Sequence, residues 1–234
     1  MIDGWIELAR GPLFRLSLAV CLLGLGTILF TTGVSIVRSW RSAGDRTLPI
    51  GAIVRTTLRW VAPVRLAKVR PLYSVASIAF HAGLLLVPLF SVGHVGLWQT
   101  DLRVPWPVLP PALADTLAVA AAVALLGLLV ARLSSRVMRG LSRPQDSLVL
   151  VLLLGVMLSG LGAAHPLWAP VDARALLLVH LLLADATLVL TPMTKMAHCI
   201  LFPVLQLVFE LGWHFPQASG RHVATALAKE DERV

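Results

Sequence analysis

Charge is what this chain has least of. Acidic and basic residues make up 14% of its 234 positions, against 57% hydrophobic residues and a mean hydropathy of +0.83. A soluble domain carries about 25% charged residues, so an ordinary soluble globule is excluded and the chain reads as an integral membrane protein. Cysteine is nearly absent too: Cys21 lies inside an apolar run and Cys199 beside His198, with no CxxC, CxxCH or iron–sulfur spacing. That excludes covalently attached haem and any cluster held by this chain alone. There is no glycine-rich phosphate loop and no flavin or nucleotide motif, so the chain is not a whole redox enzyme. A cleavable signal peptide is not expected, because the first apolar run is long, lacks a basic n-region and shows no small-residue cleavage site.

Acids are the scarcer sign, twelve against twenty Lys and Arg, for a formal charge of +8. In a soluble chain that excess would suggest nucleic acid; here the basic residues fall between apolar runs, so no nucleic-acid partner is expected. Apolar spans are read at about 12–37, 72–98, 112–133, 146–164 and 171–200. Residues 38–70 hold eight Lys or Arg and one acid, Asp45, and Arg132, Arg136, Arg139 and Arg143 cluster between the third and fourth spans. The loops at 99–111 and 165–174 hold one Arg each, Arg103 and Arg174. This asymmetry puts sixteen of the twenty basic residues on one side. The expected fold is therefore an all-α integral membrane bundle of five transmembrane helices, with the N-terminus outside and the C-terminus cytoplasmic. Residues 1–215 form the membrane domain and 216–234 a short cytoplasmic tail. Residues 50–69 mix Arg55, Arg59, Arg65 and Lys68 with apolar side chains, as in a helix lying on headgroups or against a partner subunit; a solvated basic loop is the plainer alternative. Trp98, Trp106 and Trp168 read as an aromatic belt.

The chemistry-bearing residues are histidines inside the spans. His180 and His198 are 18 residues apart, which on one continuous helix is about five turns and roughly 27 Å, so both imidazoles leave the same face near opposite membrane surfaces. The second span carries His81 and His94 and runs the other way. His94 then shares the outer level with His180, and His81 the inner level with His198. A lone membrane histidine most often hydrogen-bonds a neighbouring helix. Four of them, two per helix and matched in depth, suit two haem irons, each held by imidazoles from facing helices. The 13-residue interval from His81 to His94 places their rings about 140° apart on a regular helix, so a kink at Pro88 is needed to re-aim one of them. His165, in GAAHPLW, is the substitute outer ligand.

The pattern FH81…VGH94 with H180…TPMTKMAH198 resembles the membrane cytochrome b (gamma) subunit of respiratory nitrate reductase and its relatives in sulfite-reductase-associated and heterodisulfide-reductase-like complexes. The likeness covers the five-helix layout over about residues 5–215, with its specific motifs confined to the second and fifth spans. It implies two b-type haems, the outer held by His94 and His180 and the inner by His81 and His198. It also implies oxidation of quinol from the membrane quinone pool near the outer haem. Electrons would pass through the inner haem to iron–sulfur and catalytic subunits on the cytoplasmic side of a bacterial or archaeal-type inner membrane. One departure concerns the outer start of the third helix, where that family has a basic residue and this chain reads LADT.

Three further residues belong to this reading. Asp115 is the candidate acceptor of a quinol proton, with a plain helix-start acid as the alternative. Asp185, five residues past His180, is a candidate hydrogen-bond partner of a ligand imidazole or of a Ser or Thr on the next helix. Lys195 is a candidate partner for a haem propionate or an interfacial anchor. Two rivals stand beside the main one: the same haems run in reverse as a quinone-reducing subunit, and a haem-free transporter or assembly subunit whose histidines relay protons.

Overall fold

A computed structural model describes residues 1–42, 50–61, 64–102, 104–168 and 171–214, with Thr225 and Ala228 beyond them. Apart from those two residues, the expected tail at 216–234 lies outside the described residues. The elements of the described residues are all helical, among them α1 (Ile2–Leu8), a π-helical turn (Ala9–Leu13), α2 (Phe14–Ser42), α3 (Ile50–Val61), α4 (Val64–Val69), α5 (Pro71–Phe90), α6 (Val92–Leu102), α7 (Pro111–Ser134), α8 (Arg136–Leu141), α9 (Pro144–Ala164), α10 (Ala173–Leu190) and α11 (His198–His214). Five helical runs are long and apolar enough to cross a membrane: Ile2–Arg41, Pro71–Phe90, Pro111–Ser134, Pro144–Ala164 and Ala173–Leu190.

Prolines account for the departures from straight rods. Pro12 lacks the N–H that an α-helix needs at that position, and the chain absorbs it in the π turn, so the first run starts at Ile2 rather than near residue 12. Pro88 is followed three residues later by a break at Ser91, which divides the second span into α5 and α6. The expected fifth span at 171–200 is not continuous either. α10 ends at Leu190, the chain turns through Thr191–Thr194, and α11 begins at His198. Pro192 explains this: a continuing helix would drive its ring into the carbonyl of Leu188 and leave that carbonyl without a donor. His180 and His198 therefore sit on two helices, not on opposite ends of one.

The chain forms two compact units, residues 1–21 with 65–196, and 22–64 with 197–234. In the first, α5 packs on α7, α7 on α9 and α9 on α10, while α1 and the π turn lie against α10. Its core is Phe80, Ala124, Leu125, Leu153 and Met196. Lipid gives apolar side chains no reason to leave it, so helices associate through close packing and small residues. Gly83 is such a point: a Cβ there would lie 2.5 Å from Ala121 Cβ and 2.6 Å from the Leu117 carbonyl oxygen. Gly83→Val should force α5 from α7 and destabilise the fold by about 1–3 kcal/mol, the range for overpacked cores. A thermal unfolding midpoint in detergent that stayed at the wild-type value would contradict this contact.

Charged side chains pin the two ends of this unit. At the basic end the Asp146 carboxylate accepts the Arg143 N–H at 2.9 Å, meets Lys195 Nζ at 2.7 Å and lies 3.8 Å from Arg132 Nη1. At the opposite end Arg174 pairs with Asp3 at 2.6 Å, and Asp172 caps α10 through the N–H groups of Arg174 and Ala175. In the second unit α3 packs against α11, with Ile53 and Leu201 buried. The basic stretch at 50–69 is thus helical, in two pieces, α3 and α4.

Candidate metal centre

The site begins with the break in the second span. α5 runs to Phe90 and Ser91 turns to an extended conformation, φ −74° and ψ 147°, which frees the last carbonyls of α5. The following loop satisfies two of them. Trp106 Nε1 donates to the Leu89 carbonyl at 2.8 Å, and the Leu109 N–H donates to Phe90 at 2.8 Å, while the Trp106 ring stacks on Phe90 with centroids 6.3 Å apart. Trp106, expected as a belt residue, therefore braces the break; the side chains of Trp98 and Trp168 lie outside the described residues. The Ser91 carbonyl accepts from the His94 and Val95 N–H groups and so starts α6, and Ser91 Oγ lies 2.6 Å from His94 Nδ1. His94 thus leaves a helix separate from that of His81, which removes the 140° conflict of a regular rod. Trp106→Phe keeps the ring and removes the donor. It should lower stability by about 1 kcal/mol, as for one lost hydrogen bond, and a midpoint indistinguishable from wild type would count against the bracing role.

His180 projects from α10 toward α9, where its Nδ1 lies 2.9 Å from the Val156 carbonyl oxygen. A carbonyl only accepts, so Nδ1 carries the proton and Nε2 keeps its lone pair for a metal. Gly160 makes this possible. A Cβ at that position would sit 2.9 Å from both Cε1 and Nδ1 of the His180 ring, so any side chain there fills the cradle in which the imidazole lies. The His94 and His180 rings meet edge to face, centroids 5.8 Å apart and planes at 65°. Two imidazole donors from neighbouring helices at this spacing are a donor set of the kind that could hold a metal or a haem iron.

His81 is prepared in the same way. Its Nδ1 lies 2.7 Å from the Ser77 carbonyl, one helical turn back, so Nε2 is the lone-pair nitrogen, and the edge of its ring meets Phe80 at 4.9 Å between centroids. His198 opens α11 in the second unit, is exposed, and has Nε2 3.7 Å from Cys199 Sγ. His81 and His198 belong to different units, so the structural pairing described here is that of His94 with His180.

The remaining expected residues are placed as follows. Asp185 is buried, faces Ser17 and takes its hydroxyl as hydrogen-bond partner, so the Ser alternative is the one realised; the backbone of Val156 orients His180 instead. Lys195 is paired with Asp146. Asp115 pairs with His165, Oδ1 to Nε2 at 3.2 Å. Ser91, Gly160, Asp146 and the Val156 carbonyl are contributors that the sequence reading did not single out. Of these, Gly160 in SGLG and Ser91 three residues from Pro88 left a sequence signal; a backbone carbonyl leaves none.

Five spanning-length helices in an all-helical chain define a multi-pass membrane protein, here with a facing histidine pair inside its first unit. No protein-family model matches the chain, and no solved structure matches it. A protein of Nitratidesulfovibrio vulgaris is 31% identical over 198 residues, which cover 82% of this chain and 86% of that relative, and the chain belongs to the same family. The relative's name, simply "protein", assigns no activity.

Proposed function

We propose that the chain is a di-haem b-type cytochrome subunit of a respiratory oxidoreductase in a bacterial or archaeal-type inner membrane. It oxidises quinol near the outer face and passes the electrons to iron–sulfur and catalytic subunits on the cytoplasmic side. His94 and His180 hold the outer haem, and His81 and His198 the inner one. The observation that carries this reading is the His94–His180 pair: rings 5.8 Å apart, with the Nδ1 of His180 committed to a carbonyl so that Nε2 is presented as a ligand. The haems supply one-electron chemistry, and the chain supplies depth, orientation and a dry surround. Val156 and Ser91 orient the outer imidazoles, Ser77 orients His81, and Gly160 leaves room for the His180 ring. The basic end of the first unit, with Arg132, Lys195 and the cluster at 136–143, is the cytoplasmic end by the positive-inside rule and faces the partner.

The test is spectroscopic. Purified protein mixed with a short-chain quinol should develop the reduced α band of a b-type cytochrome, and excess oxidised quinone should reverse it. Haem reducible by dithionite but unchanged by quinol would contradict the assigned donor. Absence of any Soret band would favour the haem-free alternative.

A further inference from the structure

We infer that Asp185 is a proton-binding site inside the membrane, loaded when a haem of this chain is reduced and emptied when it is oxidised; this rests on the cytochrome function proposed above. Asp185 lies on α10, about 18 Å along the helix from Ala173 and about 7.5 Å before Leu190. It is 5% exposed, and Ser17 on α2, which donates a hydrogen bond to it, is 2% exposed. Its Oδ2 is fully covered and has no hydrogen-bond partner among the described residues. A carboxylate in an apolar interior needs a counter-charge or a donor for each oxygen, and Asp185 has one donor for two oxygens. A proton on Oδ2 supplies what is missing, and a closed atom leaves room for no larger ligand.

The elements packed against α10 bring no other group to that oxygen. α9 has no ionisable residue between Asp146, which pairs with Lys195, and His165 just past its end. α1 and the π turn carry Asp3, Glu7 and Arg10, all exposed and toward the Arg174 end, where Asp3 pairs with Arg174. On α2, Arg15 is exposed two residues before Ser17, and Cys21, one turn past Ser17, is buried and only a weak donor. On α10 itself the other ionisable residues are Arg174 and His180. None of these hydrogen-bonds Oδ2.

His180, the proposed outer ligand, precedes Asp185 by five residues on the same helix, about 7.5 Å along its axis. An electron arriving on a haem adds negative charge to a low-dielectric interior, where charges act on one another far more strongly than in water. Reduction therefore favours the protonated carboxyl and oxidation the ionised one. By linkage, the bound proton strengthens the haem's hold on its electron by the same factor. In the coupled step, Asp185 takes one proton from water and forms its O–H bond as one electron from quinol reduces ferric to ferrous haem. Reoxidation returns the proton to water, so charge balances in both directions.

The experiment is reduced-minus-oxidised infrared difference spectroscopy of the full-length protein, with potentiometric titration of the haems at several pH values on the same samples. Reduction of the wild type should produce the C=O band of a protonated carboxyl, shifted in D2O, and the midpoint of one haem should fall as pH rises. Asp185→Asn keeps an acceptor for Ser17. It should retain the haems, lose the band and flatten that pH dependence. Ser17→Ala should keep the band but move it to higher frequency, because the hydroxyl no longer bonds the carboxyl; a residue that only ties α2 to α10 would give no redox-linked band to move. An unchanged band and pH dependence in Asp185→Asn with haems intact would overturn this site while leaving the cytochrome reading in place. So would a midpoint displaced equally at every pH, the mark of a fixed charge, or a wild-type spectrum without the band. Absence of haem from the wild-type protein would instead remove the underlying function, and this inference with it.

Discussion

His180→Ala should remove one of two b haems and leave the other, halving the pyridine haemochrome yield per chain. His180 is a half-buried imidazole whose proton is fixed on Nδ1 by Val156, and its ring meets His94 at 5.8 Å. If the proposed outer haem is held there, removing His180 would leave it one protein ligand, and a b haem has no covalent thioether links to retain it. His94→Ala should give the same spectrum, while His81→Ala and His198→Ala should remove the complementary haem. Two spectroscopically distinct single-haem species are the expected outcome. Loss of both haems with every single substitution would mean that the four residues do not form two separate sites.

Gly160→Val should have nearly the same effect without touching a ligand. The cradle at this position admits no Cβ, since one would lie 2.9 Å from Cε1 and Nδ1 of His180. That is closer than real carbon contacts allow, and the other wall is the helix backbone itself, so the imidazole has to move. Movement breaks the bond from Nδ1 to Val156 and shifts Nε2, the nitrogen that would hold the proposed haem. The outer haem should be lost or become high-spin, with the inner haem spectrum unchanged. Gly155→Val tests whether crowding alone is responsible. A Cβ there meets only the flexible tip of Leu183 at 3.1 Å, so both haems should remain. Equal haem loss in the two variants would show that α9 simply tolerates no side chains.

The spans were legible in the sequence because a bilayer demands long apolar helices and the loop charges punctuate them. The bend near Pro88 was legible for the same kind of reason, since a missing N–H has no remedy inside a regular helix. The break after Leu190 was not drawn from the sequence. The 18-residue spacing of His180 and His198 suits one straight rod, but Pro192, in the middle of TPMT, is the stronger signal and ends it. That His94 and His180 come together was readable from two histidines at matching depth. What orients them was not: Val156 contributes a carbonyl that any residue would have, and the partnership of Asp146 with Lys195 joins residues far apart in sequence. Asp185 shows the converse. Five residues from a histidine it invites a role beside that ring, yet on a helix this interval turns it well away, toward Ser17.

The most direct test of the account is the ratio of haem to protein in the purified chain, measured by pyridine haemochrome against amino-acid analysis. The account predicts two haems b per chain. A protein that folds, stays monodisperse in detergent and contains none would contradict it outright.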